Sequence, residues 1–411
     1  MRILHTSDWH LGATLHGRKR HDESGMFLSW LIDTINREKI DLLLICGDVF
    51  DSSAPGSVIQ RMYYEFLGCI TRTCCRWVII IAGNHDSPSL LSAPKEILQF
   101  LNIHVIGSIS GNPEEEVLSV MDENGTCSLI VCAVPFLREK DIRPGTTAES
   151  GESPAIQLTR GIISHYARVA DIAMERRDAT YPHTPILATG HLFATGCETR
   201  AGDGIRECYV GNSVLIGADV FPSGLSYVAL GHLHVCQTVA GREEIRYSGS
   251  PIPMGFSEAD QEKKVIIVDI AGSERPRIEE RIIPRFVRLA SLKGKKHDIE
   301  EMIFSLRHDG IKTWIEVTVE SIEPPSSLQN WLSDLTRYPG IECLKISNTL
   351  SACSCLTQQI DGETLEHISE REVFRRRLTE EELTDGERED LTRAFEEILV
   401  QYQQKDRMET D

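Results

Sequence analysis

The chain has 411 residues, 41% of them hydrophobic and 26% charged, with a formal net charge of −19. That length exceeds one ordinary core and predicts two or three domains, and the composition is that of a soluble globular protein. No stretch approaches the ~20 apolar residues of a membrane span, and Asp8 comes too early for a signal peptide; the expectation is a cytoplasmic protein with no membrane association.

The first hundred residues alternate between two periodicities. Residues 2–6 read as a short strand, and Phe27, Leu28, Leu31, Ile32 and Ile35 recur at helical spacing. Residues 42–46 form a continuous apolar run ending at Gly47, as expected of a strand buried on both faces. A helix over 58–70, a strand over 77–82 and a helix over 95–101 follow. This β-α-β succession implies parallel strands with right-handed crossovers. Further strands are predicted at 128–134, 186–189, 227–230 and 265–270, with a helix over 155–176.

The expected fold class is α/β. A layered sheet-and-helix domain spans residues 1–272, and Gly272-Ser273-Glu274-Arg275-Pro276 reads as a linker. A smaller α+β accessory domain follows over 277–350, with helices near 298–306 and 328–335 and strands over 313–320 and 341–346. A charged helical tail spans 357–411. Its Leu391, Phe395, Ile398, Leu399 and Tyr402 share one helix face.

The twelve cysteines are scattered, with no CxxC pair, which argues against a disulfide framework or a zinc knuckle. The negative charge argues against tight nucleic-acid binding by this chain alone. It is uneven, however: residues 361–411 hold 17 acidic and 8 basic side chains, a net −9 that leaves −10 for the rest.

Five short motifs each follow a predicted strand: Asp8-Trp9-His10, Gly47-Asp48, Gly83-Asn84-His85-Asp86, Gly190-His191 and Gly231-His232-Leu233-His234. In open α/β sheets ligands bind at the carboxyl ends of strands, so five such loops can converge on one site. Asp, Asn and His together suit Mn²⁺, Fe²⁺ or Zn²⁺. In Asp8-x-His10 and His232-x-His234 the period of two puts both side chains on one side of an extended segment. Taken singly, each motif also reads as a polar turn or an exposed strand face. Two ions about 3.5–4 Å apart suit phosphoryl displacement, and Asp48 is the natural bridging carboxylate.

These motifs resemble the calcineurin-like metallophosphoesterase superfamily, with its D-x-H, GD, GNH[DE], GH and GHxH elements. The resemblance implies one ion on Asp8, His10, Asp48 and His234 and a second on Asp48, Asn84, His191 and His232. It makes His85 a phosphate-contacting histidine that protonates the leaving oxygen, and Asp86 the group that orients His85. The wording around the motifs, Thr6-Ser7-Asp8-Trp9-His10-Leu11-Gly12 and Gly47-Asp48-Val49-Phe50-Asp51 among them, is similar to that of bacterial SbcD-type nuclease subunits. So are Tyr247-Ser248-Gly249-Ser250-Pro251-Ile252-Pro253 and Glu372-Val373-Phe374-Arg375-Arg376-Arg377-Leu378 in the tail.

That likeness implies a Mn²⁺-dependent exonuclease and endonuclease for DNA ends and hairpins. It also implies a homodimer within a heterotetramer and an SbcC-like coiled-coil ATPase as partner, docked on the tail. No GxxxxGK[ST] loop occurs in the chain, in keeping with ATP being handled elsewhere. Arg18, Lys19 and Arg20 are candidates for contact with DNA phosphates, the alternative being a solvated basic loop; Lys293, Lys295 and Lys296 are further candidates. Two other readings share the ligand set: a small-molecule phosphodiesterase or phosphatase, and a non-catalytic scaffold.

Overall fold

Leu42–Cys46 is buried along its whole length, and its alternation decides the layering. In the computed structural model Leu43 and Ile45 pack outward with the His21–Glu38 and Ser57–Ile70 helices, while Leu42, Leu44 and Cys46 face a second sheet. Each such side chain, fully withdrawn from water, contributes about 1.5–3 kcal/mol. The structure describes residues 1–142, 154–194, 197, 216–272, 274–307, 310–321, 323–337 and 340–349, with Phe374, Leu391, Thr392 and Phe395.

The expected layered sheet is two sheets of six strands each. The first runs Arg277–Ile282, Lys264–Asp269, Arg2–Thr6, Leu42–Cys46, Trp77–Ile81 and Ile103–Ile106 in spatial order, the last four parallel. The second runs Gln237–Val239, Arg242–Tyr247, Tyr227–Gly231, Ile186–His191, Cys127–Cys132 and Val117–Met121; its inner four are parallel and both edge strands antiparallel. An apolar layer containing Leu44, Ile79, Val131, Leu187, Ala229 and Ile266 lies between the sheets. The Pro154–Thr180 helix covers the outer face of the second sheet through Ile162, Tyr166 and Val169.

The boundary expected after residue 272 is not a linker. Arg277–Ile282 pairs antiparallel with Lys264–Asp269, so the intervening residues connect two hydrogen-bonded neighbours, and the first domain runs on through Ile282. The strand went unread because its alternation is carried by Arg and Glu rather than by apolar residues.

The accessory domain is a β-α-β-α-β unit. Strands Arg288–Gly294, Thr313–Val319 and Ile341–Asn348 are parallel, with crossover helices Lys296–Ser305 and Pro325–Leu335. Leu15, Phe256, Val287, Leu289 and Trp314 form one buried cluster that joins this domain to the first. Met1–Thr349 makes one compact unit and Leu350–Asp411 another. In the second unit the rings of Phe374 and Phe395 stack at 3.9 Å, and Leu391 is exposed. The predicted tail positions Ile398, Leu399 and Tyr402 lie outside the described residues.

His5 is fully buried, with Nδ1 3.0 Å from the Tyr227 hydroxyl and Nε2 3.1 Å from the Leu230 carbonyl. The carbonyl only accepts, so Nε2 carries the proton and Nδ1 accepts from Tyr227. Burial lowers its pKa from 6.5 to about 3, against the opposing pull of the Leu230 carbonyl. A depressed histidine pKa means that the unfolded chain takes up the proton first. His5 therefore contributes nothing to the pH dependence above pH 6.5 and removes stability as the pH falls from 6.5 towards 3. At pH 5 the loss is about 2 kcal/mol. Urea denaturation at pH 7.5 and pH 5 is expected to show this loss in the wild type, and a loss smaller by about that amount in His5→Gln.

Candidate metal centre

Asp8, Asp48 and the Asn84–Asp86 segment follow three adjacent strands of the first sheet; His191 ends a strand of the second, and His232 and His234 follow its neighbour. Their carboxyl ends meet at one edge of the sandwich. Backbone bonds fasten the first two loops together: Asp8 N donates to Gly47 O at 3.0 Å, and His10 N to Asp48 O at 3.0 Å. Two glycines are needed for this approach. A Cβ on Gly83 would collide with Asp48 Oδ1, and one on Gly47, whose φ is +86°, would collide with the His191 ring at Nδ1. Asp8, His10, Asp48 and His232 also have positive φ, conformations that cost ~1–3 kcal/mol and cluster at sites where the surroundings impose them.

The expected ligands fall into two linked donor groups. One ligand atom from each of Asp8, His10 and His234 lies within 4.8 Å of the others, and the same holds for Asp48, His191 and His232. Asp48 Oδ2 lies 3.2 Å from His191 Nε2 and 3.8 Å from His10 Nε2, so one oxygen faces histidines of both groups. Its other oxygen accepts the His85 amide at 2.9 Å. Asn84 Oδ1 sits 3.0 Å from His191 Nε2 and 3.3 Å from His232 Nδ1. All seven residues named as ligands are thus gathered at one place.

The donor set fits divalent cations. His10 is 4% exposed, and its buried Nε2 has no hydrogen-bond partner, Asp48 Oδ2 standing off at 3.8 Å, a costly arrangement that a coordinated cation relieves. The local charges are equally strained. Burial and the neighbouring Asp48 charge raise the Asp8 pKa, against the pull of His191 and His234. Burial opposes charge on both Asp48 and His191, but their mutual attraction prevails, lowering Asp48 and raising His191 to about 9. Burial, with His191 beside it, depresses His232 to about 3.

The profile of the calcineurin-like phosphoesterase family matches residues 1–236, and that of the Type 5 capsule protein repressor C-terminal domain matches residues 285–382. The SbcD subunit of the nuclease SbcCD from Escherichia coli K12 is 33% identical over 402 residues, covering 97% of this chain and 98% of that one. The protein of the same name from Rhodobacter capsulatus is 37% identical over 287 residues (67% and 68%), and that from Bacillus subtilis 34% over 276 residues (67% of each). The chain belongs to the SbcD family of calcineurin-like phosphoesterases. It is accordingly an enzyme, a metal-dependent phosphoesterase.

The structure changes the expectations for individual side chains around the centre. Asp86 does not hold the His85 ring. Its carboxylate accepts from Gly83 N at 2.8 Å, Phe50 N at 2.9 Å and Val49 N at 3.2 Å, tying the Gly47-Asp48 loop to the Gly83-Asn84 loop. Burial and Asp48 raise its pKa to about 6 despite these donors. The His85 ring instead donates from Nδ1 to the Asp51 carbonyl at 3.0 Å.

Arg20 is not a surface phosphate contact. Its side chain is 1% exposed, paired with Glu23 at 2.7 Å, bonded to the Pro253 carbonyl and laid over Trp314. Arg18, though largely exposed, pairs with Glu342 of the accessory domain; Lys19 is exposed. Lys296 is engaged by Glu323 at 2.5 Å, while Lys293 and Lys295 are exposed.

The five motifs also omit what supports them. The Ser7 hydroxyl donates to Asp8 Oδ2 at 2.5 Å, with Ser248 Oγ 2.8 Å from Ser7 Oγ. The Asp51 carboxylate lies 3.2 Å from His10 Nδ1, and Glu258 Oε1 lies 3.2 Å from His234 Nδ1. Burial opposes the Glu258 charge, but His234 and Lys263 beside it hold its pKa at about 2. Nothing adjacent to Glu258 in sequence marks it; only the Ser248–Pro253 wording hints that this stretch belongs to the site.

Proposed function

We propose that this chain is the nuclease component of an SbcCD-type complex, hydrolysing DNA phosphodiesters at ends and hairpins with two Mn²⁺ ions. Asp8, His10, Asp48 and His234 would hold one ion, and Asp48, Asn84, His191 and His232 the other. The observation that carries this reading is Asp48, buried between the two groups with Oδ2 directed at both. Such a pair of ions supplies a hydroxide at neutral pH and neutralises the charge that develops on the phosphoryl oxygens. The chain's part is to hold that arrangement rigid through Asp86 and the paired loops, and to present His85 as proton donor to the leaving oxygen. The relatives named as the SbcD component of a nuclease support the choice of DNA over other phosphodiesters.

Exposed Lys19, Lys293 and Lys295 are the basic groups we assign to phosphate-backbone contact. We assign the tail to an SbcC-like coiled-coil ATPase, because the apolar face of Leu391, Phe395, Ile398, Leu399 and Tyr402 needs a surface to bury against. Deleting residues 379–411 is expected to abolish capture of SbcC while leaving Mn²⁺ stoichiometry unchanged; retention of SbcC in a pull-down refutes the assignment. The decisive assay is Mn²⁺-dependent cleavage of a labelled hairpin DNA, by the chain alone and with SbcC plus ATP. Cleavage strengthened by SbcC supports the proposal. Turnover of a small phosphodiester without any of DNA replaces it with a small-molecule enzyme, and bound metal without turnover of either replaces it with a scaffold.

A further inference from the structure

Three histidines of the centre have Nδ1 partners of different kinds. His191 Nδ1 lies 2.9 Å from the Cys46 carbonyl, and His10 Nδ1 faces an Asp51 carboxylate that is 43% exposed. His234 Nδ1 faces Glu258, whose side chain is 2% exposed. Glu258 is itself held on its other oxygen: Oε2 accepts from Lys263 Nζ at 2.6 Å and from Met254 N at 2.9 Å. Lys263, buried as well, also donates to the His234 carbonyl at 3.0 Å and to Ser250 Oγ at 2.9 Å. One buried ion pair therefore grips both the ring and the backbone of a single histidine. A carboxylate only accepts, so Nδ1 is the ring nitrogen that holds a proton, and the neutral ring offers Nε2 to the group formed with Asp8 and His10.

We infer that Glu258 and Lys263 are positioning residues that fix the His234 tautomer and so set the affinity of the Asp8–His10–His234 metal position, leaving the Asp48–Asn84–His191–His232 position unaffected. The inference rests on the two-ion reading proposed above. Loss of such an outer partner typically lowers metal affinity 10–100-fold. A pairing that acts through His234 must lose its effect once His234 is gone, which a double-mutant cycle detects.

The test is a Mn²⁺ titration of the full-length chain, free ion being followed by electron paramagnetic resonance, for wild type, Glu258→Gln, His234→Gln and the double variant. Lys263→Met, added in each Glu258→Gln chain, removes the cation that Glu258→Gln strands should that variant fold poorly. The expected result is two ions in the wild type, one of them bound about 10–100-fold more weakly in Glu258→Gln, and no further weakening when Glu258→Gln is added to His234→Gln. Equal weakening in both backgrounds, weakening of both ions, or unchanged affinity overturns the inference. A wild-type protein that takes up a single ion brings down the two-ion reading and this inference with it.

Discussion

Asp48→Ala is expected to remove at least one of the two ions and to lower Mn²⁺-dependent DNA hydrolysis by about 10³-fold or more. The magnitude follows from the several kcal/mol that a correctly held metal contributes to phosphoryl transfer, each ~1.4 kcal/mol being a factor of ten. The direction follows from position: Asp48 Oδ2 faces His191 at 3.2 Å and His10 at 3.8 Å, so one truncation touches both groups. The metal-free fold should survive. Asp48 is a buried charge whose presence raises the Asp8 pKa, so removing it relieves a like-charge contact while depriving His191 of the partner that keeps it charged. Asp48 has a φ of +49°, which alanine tolerates poorly and asparagine tolerates well. Asp48→Asn thus removes the bridging charge and one of the two oxygens without adding backbone strain. Elemental analysis of both variants after Mn²⁺ loading is the measurement, and full occupancy in both removes Asp48 from the bridging role.

His85→Ala is expected to keep both ions and to lose about 10²–10⁴-fold in DNA cleavage, the range typical of general acid catalysis. The His85 ring lies beside His10, with centroids 5.0 Å apart, and a ligand atom of His85 is within 4.8 Å of atoms on His10 and Asp48. Geometry alone allows it to serve as proton donor or as a ligand. With Nδ1–H given to the Asp51 carbonyl, Nε2 is the ring nitrogen left for either role. The two roles separate on metal content: loss of cleavage at full occupancy supports proton donation, and loss of one ion makes His85 a ligand. A near-wild-type rate removes it from the mechanism altogether.

The motif residues are legible because each ligand loop follows a short strand-like run. Residues 42–46, apolar throughout and ending at Gly47, announce both the strand and the loop that leaves it. The same signal failed for Arg277–Ile282, whose Arg and Glu side chains give no apolar period although the strand extends the first sheet. Arg20 shows a different failure. Within Arg18-Lys19-Arg20 the three side chains are equivalent as a sequence, yet one is buried against Trp314 beside Glu23 while its neighbours are exposed.

By itself, the sequence determined the α/β class, the order of the ligand loops and the family resemblance, because periodicity and short motifs are local properties of the chain. Only the tertiary structure decided that the strands divide between two sheets and that Asp86 braces backbone amides. It alone brought Glu258, 24 residues beyond His234, to that imidazole. Those outcomes depend on which buried groups find partners once distant segments meet, and no local pattern encodes that.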